Sequence, residues 1–373
     1  MSAANFAGTE SLSVRFPFSY VHSRAFDWCF FLAPFWASIV YFVLVKAFPA
    51  HEVLLFVLSY ILLAETHFAS TWTIYLDPEN RKEYSAHKGI YYYAPLLIMV
   101  ACVLVSWTVS LKVVLFFGAL ASAVHVTRQS TGIVALYRSK ARQVDPRHKR
   151  WENLSLYFAS GAFLTFGFIR FYLEPGGMLA SLSLAFPPIG SLLRLGLVAL
   201  VLGALVSVAN VVALEVGRAR SGAALSASKL VAFAYSLFLY SPYVFATRME
   251  HAIAMAVGVH YVQYLGIVWL LNGNKYKLDS RSEGGVSFDR RVLSWLSQKV
   301  WVRLPYLLFY AGLMAYLRQG GFRWDKFEPA SWVYSIPIGL QIVHYHVDAY
   351  IWRFSNPFIR TTVLPYLRKM GTT

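Results

Sequence analysis

Apolar stretches of about twenty residues, parted by short polar connections, recur along the whole chain. They fall at 26–46, 53–76, 90–109, 113–137, 153–173, 191–216, 228–247, 250–272, 300–317 and 332–353. Runs of this length match the hydrocarbon core of a bilayer and predict membrane-spanning helices. Two of the longer connections are 138–152 and 273–299. The second joins Gly284–Gly285 to mixed charges, which predicts a flexible loop and then an interfacial helix from about Phe288 to Val300. The chain therefore reads as all-α, a polytopic transmembrane helix bundle of about ten spans. Residues 26–353 form a single transmembrane domain between an N-terminal segment, 1–25, and a C-terminal tail, 354–373.

Polar interruptions of this pattern carry the candidate chemistry. His67, His125, His260 and His344 lie in the second, fourth, eighth and tenth stretches, all of which run in the same direction. Counted from the ends of their spans, the four sit within about 5 Å of one depth. An ionisable side chain in hydrocarbon is costly and marks a functional site by default, so four at one depth predict one site. Positions three or four apart share a helix face. That rule attaches Thr71 to His67, Gln129 and Arg128 to His125, Gln263 to His260 and Asp348 to His344. A histidine bound to a metal through one nitrogen commonly gives its other N–H to such a partner.

The same phase argument sets other residues aside. His346 lies about 200° around the helix from His344, and Glu65 and His251 are out of phase with His67 and His260. These three read as helix–helix or interfacial hydrogen-bonding groups. His22, His87 and His148 fall in polar connections and read as solvated, and His51 lies in a loop on the opposite side. Arg128 lies within a span, and as a buried cation it would need a partner. Asp348 is the candidate nearest in depth, and a substrate carboxylate or phosphate is another. Asp348 and Arg128 are accordingly the candidate catalytic residues.

Composition confirms the solvent and charge supplies the orientation. The chain is 57% hydrophobic and 14% charged, against about 25% charged in soluble domains. With the N-terminus cytoplasmic, 25 Lys and Arg residues fall on the inner side and 8 on the outer. Basic residues are retained inside, so both termini are expected to be cytoplasmic and the protein integral to a membrane, the inner membrane of a bacterium. The net charge of +16 then reflects loops facing anionic membrane lipids and not nucleic acid. Residues 1–25 lack the apolar core of a cleavable signal peptide. Cys29 and Cys102 lie in apolar stretches without a CxxC motif, which excludes a disulfide framework.

Imidazoles with a carboxylate suit a transition metal, and with open positions they suit non-haem Fe(II) and O2. His67, His125, His260, His344 and Asp348 are the candidate ligands, with Thr71, Gln129 and Gln263 as their hydrogen-bonding supports. Fe(II) is the expected metal, with Zn, Cu or haem as alternatives, and the expected activity is an oxygenase acting on a lipid-soluble substrate. A metal-ion or proton-coupled transporter would use the same histidines, and a haem protein would use two of them. The segments HVTRQSTGIVALY, HYVQYLGIVW and HYHVDAYIWRF resemble a pattern that recurs in uncharacterised bacterial polytopic membrane proteins, which implies a shared site. More distantly, the architecture resembles bacteriorhodopsin-related-protein-like carotene dioxygenases. That resemblance implies a non-haem iron held by histidines from several helices, O2 and an apolar polyene.

Overall fold

In hydrocarbon each backbone N–H and C=O must be paired within its own segment, and long apolar runs therefore become helices. A computed structural model describes residues 15–32, 34–143, 145–173, 187–277, 287–320 and 331–367, and the structural statements here concern those residues. They form helices and turns without a sheet. The longer helices are α1 (Trp36–Ala47), α2 (Pro49–Leu76), α3 (Gly89–Thr108), α4 (Leu111–Lys140), α5 (Pro146–Leu173) and α6 (Pro188–Arg220). They continue with α7 (Ala227–Leu237), α8 (Met249–Lys275), α9 (Phe288–Gln298), α10 (Val300–Leu317) and α11 (Ser331–Ile351). Seven are long and apolar enough to cross a membrane, or eight if Arg24–Leu32 and Trp36–Ala47 make one bent span. The chain has the character of an integral membrane protein.

Two of the ten expected stretches fall outside that set. The stretch 228–247 is not one helix: α7 ends at Leu237, and a short helix, Pro242–Phe245, follows a turn. The physical reason is Pro242, which has no N–H to donate and disfavours helix in the residue before it. The stretch 332–353 does form a continuous helix, α11, with Pro337 inside it. Its interior carries Gln341, His344, His346 and Asp348, which lower its hydropathy. The expected interfacial helix is α9, while the Gly284–Gly285 loop lies outside the described residues. The tail does not hang free. Helices Pro357–Thr362 and Leu364–Leu367 bury Ile359, Val363 and Leu367 in a core cluster with Phe31, Tyr137 and Leu270.

Helix α8 is the axis of the bundle. In its most apolar window 78% of residues are buried, against 11% in α6 and in α10. Gly266 lets α8 approach the π-helical turn Trp28–Leu32, since a Cβ there would stand 2.7 Å from the Phe30 ring carbon. Helices α8 and α11 each pack against both α2 and α4. The four histidine-bearing helices thus close a ring.

A second buried polar group ties α4, α5, α6 and α7 at one end. Lys229 is 1% exposed; its Nζ lies 2.9 Å from Glu152, donates to Gln143 Oε1 at 2.7 Å, and also pairs with Glu215. Arg138 completes the pairing of Glu152. His148, expected to be solvated, is instead buried, 3.5 Å from both Asp145 and Glu215. Glu215 thus links the imidazole to the Lys229 group.

Candidate metal centre

Each histidine is carried inward by one helix of the ring. His67 follows a π-helical segment in α2, Tyr60–Glu65. A π turn adds a residue to the helical repeat and re-aims the side chains after it, a feature frequent at functional sites. His125 sits in the middle of α4, His260 in α8 and His344 in α11. His67 and His344 are 0% exposed, His260 1%, and the His125 side chain 9%.

The rings follow the order of the helices. Centroids of His67 and His260 lie 4.8 Å apart, His260 and His125 4.8 Å, His125 and His344 5.0 Å, and His344 and His67 4.4 Å. Each neighbour stands nearly edge-on to the next, which brings nitrogens towards a common centre. One nitrogen from each ring lies within 4.8 Å of every other. Nitrogens bound to a single ion at about 2.1 Å each would stand about 3.4 Å apart in a tetrahedron, so the four rings need only a short inward movement to gather on one ion.

Asp348 belongs to the same centre. Its Oδ2 lies 3.6 Å from His344 Nε2 and 3.8 Å from His125 Nε2. That oxygen, His67 Nε2, His125 Nε2, His344 Nε2 and both nitrogens of His260 are buried and have no hydrogen-bond partner among the described residues. Buried polar atoms are ordinarily paired, because each one left alone costs free energy. Several on facing side chains need one shared partner, and a cation that accepts lone pairs meets that need.

Hydrogen bonds behind the rings set the direction of those lone pairs. The Tyr264 hydroxyl donates to Asp348 Oδ1 at 3.0 Å and lies 2.6 Å from Thr71 Oγ1, which is 2.8 Å from His344 Nδ1. Tyr264 has one proton, and the carboxylate takes it. Thr71 therefore donates to Tyr264 and accepts from His344 Nδ1–H. This tautomer leaves His344 Nε2 bare, aimed at the space shared with Asp348 Oδ2.

The other expected companions are placed differently. Thr71 supports His344 and not His67. Gln129 donates to the main-chain oxygen of His260 at 3.1 Å and to Gln263 Oε1 at 3.3 Å, while Gln263 donates to Tyr235. The two glutamines bind α4, α8 and α7 together and touch no imidazole nitrogen of the cluster. Arg128 is exposed on the outer face of α4 and makes no ion pair with Asp348, so its role as a buried cation at the centre is corrected. His346 Nε2 contacts the main-chain oxygen of Ile90 at 2.9 Å, and His251 bridges Tyr41 and Glu52 at 2.7 and 3.1 Å. Both lie outside the cluster, as does Glu65.

Tyr264 is the residue that sequence reasoning missed. It stands four positions after His260, the spacing that selected the other companions, and its ring packs 4.4 Å from that of His67. Compared with known protein families, curated proteins and solved structures, the chain has no match.

Proposed function

We propose that the protein is a membrane-embedded, metal-dependent oxidoreductase, a non-haem iron oxygenase acting on a lipid-soluble substrate. The observation that carries this reading is the ring of four buried imidazoles whose facing nitrogens, with Asp348 Oδ2, have no hydrogen-bond partner among the described residues. His67, His125, His260 and His344 would hold the ion, with Asp348 as a further ligand or a base beside it. When bound, Fe(II) in a histidine and carboxylate set would supply the activation of O2.

The residues around the centre exclude water and fix protons. Phe68, Tyr261 and Tyr345 pack against the imidazoles at centroid distances of 5.0, 5.0 and 4.6 Å. This apolar jacket suits a substrate drawn from lipid, and the polyene of the carotene dioxygenase resemblance is one such class. A haem fits this geometry poorly, because rings 4.4–5.0 Å apart leave no slot for a porphyrin between them. Ten crossings with both termini cytoplasmic would give the four histidine-bearing helices one direction, supported by the 25-to-8 division of basic residues.

Elemental analysis of gently purified protein tests the reading. About one iron per chain is expected, with none in a His67→Ala, His260→Ala double variant. Iron-loaded protein should consume O2 when supplied with membrane lipid extract from its own host, and lipids of a deletion strain should accumulate the substrate. Protein free of any transition metal would sink the proposal. Metal-dependent flux through proteoliposomes, without lipid turnover, would replace it with transport.

A further inference from the structure

We propose that the cavity beneath α9 binds the anionic headgroup of a membrane phospholipid, with Arg303 as its counter-ion. The site is separate from the histidine cluster and does not depend on the metal reading. The cavity, of about 100 Å3, lies where α8, α9 and α10 meet the end of α2 at Ser70 and Thr73, and none of the four histidines lines it. Phe30, Leu265, Trp269 and Leu307 supply apolar walls, and Asn272 and Arg303 supply a polar end.

The guanidinium is oriented in advance. Arg303 Nε donates to the Leu296 oxygen at 2.9 Å, Nη2 donates to the Ser297 oxygen at 2.6 Å, and the group lies over the Trp269 ring at 5.4 Å. Two of its five N–H donors are used in this way. None of the described residues gives Arg303 a carboxylate partner, although the side chain is half-buried and lines the cavity. A cation fixed against an aromatic ring in a partly dry cavity calls for an anion, and a guanidinium matches phosphate oxygens in shape as well as charge.

The surroundings indicate that the anion comes from lipid. Trp295 and Trp301, close in sequence to the lining residues Leu296 and Arg303, are exposed, and Lys299 lies over the Trp295 ring at 6.0 Å. Exposed tryptophans beside basic residues mark the headgroup level of a membrane, where anionic lipids are drawn to cationic segments. Leu304 and Leu308, exposed on the same helix, offer acyl chains an apolar surface.

Native mass spectrometry of the full-length protein in detergent tests this, with phosphatidylglycerol, phosphatidylcholine of the same chains, and inorganic phosphate as probes. The native protein should keep one phosphatidylglycerol at concentrations where phosphatidylcholine is lost. Arg303→Gln should weaken that binding by about tenfold or more, with Arg303→Lys between the two. Melting temperature reports whether each variant is folded. If Arg303→Gln fails to fold, Leu307→Trp fills the cavity without removing the charge and should also lose the lipid. Equal retention of the two lipids would overturn the proposal, as would unchanged binding in a folded Arg303→Gln or Leu307→Trp variant. Displacement of the lipid by inorganic phosphate would overturn its lipid assignment and leave a free-anion site.

Discussion

Tyr264 divides the carboxylate of Asp348 into two differently employed oxygens. Its hydroxyl donates to Oδ1 at 3.0 Å and leaves Oδ2 facing His344 and His125. The two residues come from α8 and α11, which meet in sequence only through the fold. A carboxylate oriented in this manner offers a single lone oxygen at a fixed place, as an ion held by four imidazoles would require of a fifth group.

That relationship predicts coupled effects at Thr71 and Tyr264. Removing the Tyr264 hydroxyl (Tyr264→Phe) frees Asp348 and breaks the chain to His344, and Thr71→Val breaks the same chain one bond along. Each should weaken metal binding roughly 10- to 100-fold, the usual scale for groups that orient a ligand. The double variant should lose little more than either single, because both cuts interrupt one chain. Titration against a competing chelator measures this. Independent, additive losses would mean that the hydroxyls do not act through His344.

The two histidines of α11 should behave differently although they are two residues apart. His344→Ala removes a group of the cluster and should lose most of the bound metal. His346→Ala removes a contact to the Ile90 oxygen and should keep metal content close to normal while lowering stability. Asp348→Asn should fall between them, at roughly 10- to 100-fold if the carboxylate only orients. Metal retained in His344→Ala and lost in His346→Ala would reverse the helical phase on which the site rests.

Much of this site was legible because depth and phase are both linear in sequence. Residue counts along parallel spans set the depth of the histidines, and the three-to-four spacing put Asp348 beside His344 and His346 away from it. Partners across helices were not legible. Thr71 has the correct phase to face the interior, but only the packing of α2 on α11 gives it to His344. Arg128 shows the limit of depth without facing, since it shares the span of His125 and points outward. Pro242 carried a signal for the helix break after α7, but the reading of 228–247 as one apolar stretch passed over it, whereas the buried pairing of Lys229 needed three other helices to be known.

Lys229 gives a prediction separate from the metal. Replacing it by methionine preserves the apolar stem and removes the charge shared by Glu152 and Glu215. Breaking a buried pair from one side costs about 3–5 kcal/mol; Arg138 still pairs with Glu152, so the charge left short of its close partner is that of Glu215. Lys229→Met should therefore lower the melting temperature markedly, and a second change, Glu215→Gln, should restore part of the loss. Metal per folded chain should not change, since the network lies outside the histidine ring. A melting temperature equal to that of the native protein would show that the network carries no stability.

Asp77 predicts a pH dependence outside the spans. It caps the helix Pro78–Ala86 through the Glu79 N–H at 2.8 Å, accepts from Tyr276 at 2.6 Å and pairs with Lys275 at 2.5 Å. Burial pushes its carboxyl up, but the hydrogen bonds from Lys275 and Tyr276, with the Lys275 charge, outweigh it and hold the group below its ordinary value. A carboxyl depressed in the folded state contributes stability above its unfolded pKa, about 3.9, and loses it as the pH falls through the folded value. The native protein should therefore exceed Asp77→Asn in melting temperature by a constant margin at neutral pH. That margin should shrink as the pH drops below about 4, because the native carboxylate takes up a proton and the asparagine cannot. Taking the difference between the two proteins cancels acid effects on the histidine cluster, which both share. A margin that stays level down to the lowest pH at which both remain folded would show that Asp77 acts through its hydrogen bonds alone, without a contribution from its charge.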